Sequence, residues 1–202
     1  RKEIINSVYN LAKKNKNILF IGSDLSPGTG DIFQKNIPDQ FIMEGISEQH
    51  IIGMAAGLAQ KGFFPYVNTI ASFLIRRSFE QIAIDLCLQK LPVRLIGNGG
   101  GLVYAPLGPT HQIMEDFSML RSLPNISIIS ACDANEIKIL VDQTKKINSP
   151  IYFRLGKGGE KIITKNRSKD IFYGKGLAFN KPKKILLIST GVMTQTALEV
   201  MK

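Results

Sequence analysis

The sequence Glu44-Gly45-Ile46-Ser47-Glu48-Gln49-His50 leads into residues 51–61, and its pattern predicts a turn that enters a helix. Ser47 stands where a helix N-cap is expected, and Glu48 follows in the first turn, where a carboxylate stabilises the helix dipole. An acidic residue at a helix start is ordinary, so Glu48 becomes a site candidate only through motifs elsewhere in the chain. Apolar residues then recur at helical spacing, namely Ile51, Ile52, Met54 and Leu58.

A strip of small residues runs along the same helix. Gly53, Ala56 and Gly57 are spaced to share a face, and glycine inside a helix lowers its stability. The strip therefore indicates that another surface packs closely here, either inside the domain or from a second subunit.

The composition is that of an ordinary globular chain, with 202 residues of which 44% are hydrophobic and 21% are charged. Apolar runs stay shorter than a membrane span, and no signal peptide is visible. Cys87 and Cys132 lie in apolar patterns that do not predict a disulfide. We expect a cytoplasmic protein that is not bound to a membrane.

The formal net charge of +10 raises the question of nucleic-acid binding. Many of the lysines lie between residues 157 and 184, in a polar segment punctuated by Gly and Pro, and no nucleic-acid motif accompanies them. This pattern is typical of a solvated linker, so no nucleic-acid partner is expected.

Short apolar segments alternate with helical patterns along the chain, which predicts a mostly parallel central sheet covered by helices on both faces, a three-layer α/β domain. The predicted strands are 17–22, 41–43, 63–67, 92–97, 126–130 and 151–154. The predicted helices are 3–14, 48–61, 73–88, 115–121 and 134–146.

Three regions are expected from this order. Residues 1–156 form the α/β domain, and residues 157–183 form the basic linker. Residues 184–202 begin a second α/β domain, with a strand at 184–190 and a helix from Val192. The glycine run after the fourth strand, Gly99-Gly100-Gly101, lacks the Lys-Ser/Thr of a P-loop and the spacing of a dinucleotide fingerprint, so it does not predict a phosphate site.

Several motifs in this order resemble the transketolase family of thiamine-diphosphate enzymes, specifically its pyrimidine-binding domain, over nearly the whole chain. The start of a further domain resembles the same family at Ile185-Leu-Leu-Ile-Ser-Thr-Gly191. The motifs of the first domain are Gly22-Ser-Asp-Leu-Ser-Pro27, Glu44-Gly-Ile-Ser-Glu-Gln-His50, Ala55-Ala-Gly-Leu-Ala59, Arg77-Ser-Phe-Glu-Gln-Ile82, Lys90-Leu-Pro-Val93, Gly108-Pro-Thr-His-Gln112 with Glu115, and Tyr152-Phe-Arg-Leu-Gly156.

The resemblance gives Glu48 a catalytic role. It implies that Glu48 binds N1′ of the aminopyrimidine, a contact that promotes loss of the proton from C2 of the thiazolium. An aromatic wall for the ring is expected from Phe73 or Phe79, although either can equally be helix core. Because the family's spacing varies here, Leu74 or Ile75 is an alternative at the stacking position. His111 matches a family histidine that faces the substrate and is expected to act in catalysis.

Further contacts follow from the same resemblance. Arg154 matches a family arginine that grips the substrate phosphate. The loop after the first strand lies where open α/β sheets place ligands, and there we expect Asp24 to contact the cofactor and Ser26 to contact the substrate.

Three positions depart from the family pattern. Leu107 stands where the family has an acidic residue that bonds a substrate hydroxyl, and Gly99 stands where it has a His or Arg for the sugar phosphate. Gly28 replaces a phosphate-contacting serine of some members. Since these residues lack the polar arm, we expect conserved cofactor chemistry with an altered substrate pocket, so that ordinary transketolase or deoxyxylulose-phosphate synthase activity is in doubt.

The Gly-Asp-Gly…Asn pattern that holds the diphosphate and Mg²⁺ in this family is absent from the sequence. We therefore expect a partner subunit or domain to hold that half of thiamine diphosphate and its metal, with the site at the interface of an oligomer and no metal ligands in this chain. The predicted function is transfer of a two-carbon ketol unit between sugars or sugar phosphates. Open alternatives are a deoxyxylulose-phosphate synthase-like enzyme, a 2-oxoacid dehydrogenase β-type subunit, or a non-catalytic scaffold subunit of the same fold.

Overall fold

A computed structural model describes residues 1–23, 25, 28–181 and 184–201. Its strands are β1 Ile18–Ser23, β2 Phe41–Glu44, β3 Phe64–Ile70, β4 Arg94–Asn98, β5 Ser127–Ile129 and β6 Ile151–Leu155. Its helices are α1 Lys2–Ala12, α2 Asp31–Asn36, α3 Glu48–Gln60, α4 Ala71–Arg77, α5 Phe79–Gln81, α6 Asp116–Arg121, α7 Ala134–Thr144 and α8 Met193–Val200. A π-helical segment covers Ile82–Cys87, and short 3₁₀ turns cover Pro38–Gln40, Ala105–Leu107 and Lys165–Asp170.

The six strands form one sheet in the order β2-β1-β3-β4-β6-β5, and every neighbouring pair is parallel. Helices α3, α4 and α6 pack on one face, whereas α1, α2 and α7 pack on the other. Because both faces are covered, side chains on both sides of the central strands are buried, as the apolar runs of the sequence indicate. The predicted three-layer α/β fold is confirmed.

The strand order reverses beside β1, which pairs with β2 on one side and with β3 on the other. The chain leaves β1 toward one edge of the sheet and returns to build the other edge. A crevice outside the carboxyl ends of the strands is expected at such a reversal, and ligands bind there in open α/β sheets. Ser23 at the end of β1 and Glu44 at the end of β2 are register partners at this point.

The helix predicted at 73–88 is divided into α4, α5 and the π-helical segment. The backbone leaves helical geometry at Ser78, whose hydroxyl donates to the carbonyl of Leu74 and competes with the helical pattern. Helix α2 was not predicted, because its six residues are too short to show a period. The helices of the described residues include none with both the length and the apolarity needed to cross a membrane.

The segment predicted as a basic linker lies against α7 over residues 163–173. Thr164 and Ile171 are buried there, and Asp133 at the start of α7 accepts hydrogen bonds from the backbone of Ile163 and Thr164. The three regions expected from the sequence nevertheless remain a prediction, because packing onto α7 does not exclude a connecting role.

The strand predicted at 184–190 is not formed. Residues 184–190 carry neither strand nor helix, and Ile185 and Ile188 are 80% and 87% exposed. A single extended segment is unstable without a neighbouring strand, and none pairs with it in the part of the chain that the structure describes. Helix α8 does follow, near the predicted start.

Candidate functional site

Glu48 is the first residue of α3, and the turn after β2 places its side chain inside the domain, where it is 0% exposed. Its Oε2 accepts a hydrogen bond from Arg77 Nη1 at 2.5 Å. Its Oε1 lies 3.5 Å from Ser23 Oγ, which bonds more closely to the carbonyl of Gly45 at 2.8 Å. Arg77 is therefore the principal partner of the carboxylate within the described residues.

The predicted N-cap, Ser47, precedes α3, but its side chain does not cap the helix. Its hydroxyl donates to the carbonyl of Gly45 at 3.4 Å instead. Because Glu48 is the first residue of α3, its buried carboxylate lies at the positive end of the helix dipole.

An aromatic wall lies beside this carboxylate. The guanidinium carbon of Arg77 is 4.8 Å from the centroid of the Phe73 ring, and the ring of His111 meets Phe73 edge-on at 5.0 Å between centroids. The structure thus brings Glu48, Phe73 and His111 into one cluster through Arg77. The aromatic contacts of the described residues include none that joins Phe79 to this cluster.

His111 lies in a loop that is closed at its base. An antiparallel bridge joins Gly101 to Ile113, so residues 102–112 project together from the carboxyl edge of the sheet. The Thr110 hydroxyl lies 3.0 Å from Nδ1 of His111 and orients the half-buried ring. The bridge therefore holds the imidazole toward Phe73.

Arg154 is engaged by a carboxylate. Its Nε and Nη2 donate to the two oxygens of buried Asp116 at 2.8 and 3.2 Å, and its guanidinium lies over the ring of Phe117. The Tyr152 hydroxyl donates to the same carboxylate at 2.9 Å, and burial followed by the Asp116 charge raises the pKa of Tyr152. Asp116 thus engages the guanidinium in the described structure, and the contact of Arg154 with a substrate phosphate stays a prediction.

A third pair lies beside the first two, between Arg76 Nε and Glu115. The hydrogen bond from Arg76 is the main reason that the pKa of Glu115 lies below its ordinary value. The three pairs are Arg76–Glu115, Arg77–Glu48 and Arg154–Asp116. Each arginine is thus balanced by one carboxylate, so these three ion pairs together offer little net positive charge to a phosphate.

The glycine run after β4 is hydrogen-bonded to the end of β6 and to Ile113. The N–H groups of Gly99 and Gly100 donate to the carbonyl of Leu155, and that of Gly101 donates to the carbonyl of Ile113. Since all three amides are engaged, they do not form a phosphate cradle. Gly99 has φ of 77°, and a Cβ there would overlap the Tyr104 ring.

Two of the predicted site residues, Asp24 and Ser26, lie outside the described residues. Leu107 is described and is 58% exposed, on the same projecting loop as His111. Sequence reasoning missed Arg77 and Asp116 as members of the cluster. Both are ion-pair partners across 29 and 38 residues, and the only sequence signal was that buried carboxylates require a cation or donors.

Two open depressions, with volumes of about 360 and 420 Å³, lie at the β5 edge of the sheet. Neither is lined by Glu48, Phe73, Arg77 or His111, and Glu48 itself has no exposed surface. Across the described ranges, no group of three or more His, Cys, Asp or Glu side chains is arranged to hold a metal ion.

Comparison with known proteins gives a family match over most of the chain. Residues 1–159 match the family model described as the transketolase pyrimidine-binding domain. The chain is 38% identical over 192 residues to the 1-deoxy-D-xylulose-5-phosphate synthase of Caldanaerobacter subterraneus subsp. tengcongensis, covering 94% of this chain and 30% of that protein. It is 32% identical over 193 residues to one of the subunits of the apulose-4-phosphate transketolase of Phocaeicola vulgatus, covering 95% of this chain and 62% of that relative.

Solved structures agree with this match. A split-gene transketolase, described as an inactive β4 tetramer, superposes with a TM-score of 0.87 at 32% identity, over 98% of this chain and 64% of that one. The transketolase of Campylobacter jejuni shares the fold, with a TM-score of 0.69 at 22% identity over 79% of this chain and 26% of its own. The chain thus spans between about a quarter and two thirds of the length of these relatives.

Proposed function

The chain belongs to the transketolase family through its pyrimidine-binding domain, and we propose that it is the pyrimidine-binding half of a thiamine-diphosphate-dependent transferase of transketolase type. The reaction proposed is transfer of a two-carbon ketol unit between sugars. The observation that supports this most directly is the carboxylate of Glu48, which is fully buried at the start of α3 and is bonded by an arginine that lies over the Phe73 ring.

The residues present fit the aminopyrimidine end of the cofactor. Glu48 offers a water-excluded carboxyl group that can hold a proton at the ring nitrogen N1′. Phe73 offers a partly exposed ring for stacking, and we favour it over Phe79 because Phe73 contacts both Arg77 and His111. When bound, thiamine diphosphate would supply a carbon acid at C2 of its thiazolium, whose deprotonated form is a nucleophile for the substrate carbonyl.

His111 is proposed to face the substrate from the projecting loop and to move protons of its hydroxyl groups. For Arg154 we now favour a positioning role. Its bonds to Asp116 hold β6 against α6, and a Cβ on Gly100 would overlap its side chain, so Arg154 supports the glycine run from below. Asp24 and Ser26 stay proposed contacts to cofactor and substrate.

A partner is proposed to hold the diphosphate and Mg²⁺, because the sequence lacks the Gly-Asp-Gly…Asn motif that holds them in this family. Two of the relatives are a split-gene transketolase and a single subunit of a transketolase, so division of this activity between chains occurs among similar proteins. The site would then form where the partner covers the Glu48 cluster, in an oligomer that we propose to be cytoplasmic.

One alternative has a specific observation behind it. The match to 1-deoxy-D-xylulose-5-phosphate synthase, at 38% identity, favours a synthase-like reaction as the second candidate. Arg76, Arg77 and Arg154 each have a carboxylate partner. This charge balance argues equally against a sugar-phosphate substrate in the transketolase-type and in the synthase-like proposal.

The proposal is tested by exchange of the C2 proton of thiamine diphosphate for deuterium, followed by NMR in the complex of this chain with its diphosphate-binding partner and Mg²⁺. We expect exchange that slows by at least about 100-fold in Glu48→Gln, because proton transfer by a positioned group contributes roughly that much. Glu80→Gln, which changes an exposed carboxylate after α4, is the matched control and should exchange normally. Absence of exchange in the wild-type complex would support the scaffold alternative instead.

A further inference from the structure

Arg77 covers the one group on which the proposed cofactor contact depends. The guanidinium bonds Oε2 of Glu48 at 2.5 Å, and the carboxylate beneath it has no exposed surface. The Arg77 side chain is 43% exposed, so the two halves of this pair differ sharply in their access to water. Any ligand that reaches Glu48 must approach past Arg77 or past its neighbours.

The same guanidinium also occupies the aromatic surface. It lies 4.8 Å from the centroid of Phe73, in the cation–π position over the ring. A heteroaromatic ring that bonds Glu48 through a nitrogen and stacks on Phe73 would need both of these surfaces. Arg77 therefore occupies both surfaces. It bonds Glu48 where the ring nitrogen would bind, and it lies over Phe73 where the ring would stack.

We propose that Arg77 is a displaceable cover, which compensates the buried carboxylate of Glu48 until the aminopyrimidine ring of thiamine diphosphate replaces it. This inference rests on the proposed function. It goes further by assigning Arg77 a positioning role that acts through Glu48 and that limits the affinity for the cofactor.

The energetics favour such an exchange. A buried carboxylate left without a partner is strongly destabilising, so the cofactor-free chain requires a cation or a set of donors at this position. Ser23 is too distant to replace the cation, and Arg76 is held by Glu115 and by the carbonyl of Pro109. Arg77, by contrast, is long and half exposed, and its charge can move into water at small cost.

Arg77→Met removes the cover while keeping the apolar stem, and Arg167→Met, which removes the arginine of a half-exposed ion pair with Asp170 outside the site, is the matched control. The unfolding of the purified chain without cofactor is measured first. We expect Arg77→Met to unfold at a lower temperature than wild type, because Glu48 loses its cation, and we expect Glu48→Gln to remove most of this difference in the double variant. Arg167→Met should show no coupling to Glu48.

The dissociation constant of thiamine diphosphate, with Mg²⁺, is then measured by calorimetry on the complex with the diphosphate-binding partner. We expect it to fall about fivefold in Arg77→Met, the factor that corresponds to a half-exposed ion pair of about 1 kcal/mol. Arg77→Lys should bind close to the wild-type value, because it restores a cation over the carboxylate. Arg167→Met should also bind as wild type.

A purely structural role for Arg77 predicts the opposite sign, since a damaged site binds its cofactor more weakly. Unchanged or weaker binding in Arg77→Met, with normal binding in the wild-type complex, overturns the cover and leaves the proposed function standing. If the wild-type complex and Arg167→Met bind no thiamine diphosphate, the proposed function itself fails, and the inference fails with it.

Discussion

At the scale of single residues, the substrate end of the proposed site is set by side chains that lack a polar arm. Gly99 has a positive φ that an L side chain rarely adopts, and the Tyr104 ring fills the space that a side chain would enter. Leu107 is exposed on the loop that carries His111. Steric overlap therefore prevents a larger side chain at position 99, whereas position 107 has room for one.

Leu107 gives a direct test of the altered pocket. In the family that the motifs resemble, an acid at this position bonds a substrate hydroxyl, so we expect Leu107→Asp to raise kcat/KM for two-carbon transfer from xylulose 5-phosphate. A hydrogen bond to a charged acceptor corresponds to roughly a 10- to 100-fold gain. Steady-state kinetics of the complex with its partner measure this.

Leu102→Asp is the matched control for Leu107→Asp, because Leu102 is also 58% exposed in the same loop. Both variants should unfold within about 0.5 kcal/mol of wild type, as expected for exposed positions. Equal gains in the two variants would indicate a general charge effect. Full transketolase activity in the wild type would remove the reason to propose a changed pocket.

At the scale of elements, residues 163–173 are fastened to α7 by one carboxylate. Asp133 caps α7 by accepting from the N–H of Glu136, and it also accepts from the N–H groups of Ile163 and Thr164 and from the Thr164 hydroxyl. Burial raises the pKa of Asp133, but these hydrogen bonds outweigh burial and hold the pKa below its ordinary value of 3.8.

The lowered pKa of Asp133 predicts how stability depends on pH. The unfolded chain binds the proton more tightly than the folded chain, so this carboxylate stabilises the fold fully above about pH 4 and progressively less as the pH falls through its folded pKa. We expect Asp133→Asn to cost about 1–3 kcal/mol at pH 7, and the difference from wild type to shrink below pH 4. Urea denaturation at several pH values measures both.

Asp142→Asn provides the control for Asp133→Asn, since Asp142 lies on the same helix in an exposed pair with Lys145. It should change stability by less than about 1 kcal/mol at every pH. A constant difference between Asp133→Asn and wild type from pH 7 to pH 3 would contradict the assigned pKa direction.

These elements show how far the sequence could predict the molecule. The alternation of strands and helices was predicted from local patterns, because strands that are buried on both faces of a parallel sheet are apolar along their length. The position of Glu48 at the start of α3 was predicted from its motif. The break at Ser78 depends on one side-chain hydrogen bond, and the pairing of Arg77 with Glu48 depends on where α4 ends. Such contacts join distant segments, so no local pattern records them.

At the scale of the whole molecule, we propose that a second chain contacts the outer surface of α3. Gly53 and Gly57 are exposed, and a Cβ at either position would meet nothing within 4 Å, whereas Ala56 is buried against the domain. Internal packing therefore does not account for the two glycines. We favour the second reading of the small-residue strip, close approach by another subunit, at the helix that begins with Glu48.

Gly57→Arg tests this contact, because it should act in opposite directions on the single chain and on the assembly. An arginine in an exposed helix interior is favoured over glycine by up to about 1 kcal/mol, so the isolated chain should unfold at a slightly higher denaturant concentration. The same side chain would hold a neighbouring backbone away, so association with the partner subunit should be lost in analytical ultracentrifugation. Asn10→Arg on α1, across the sheet, should leave association intact. Association of Gly57→Arg with wild-type affinity would show that the partner subunit does not pack on this face of α3. The partner would then have to contact Glu48 and Arg77 from another surface.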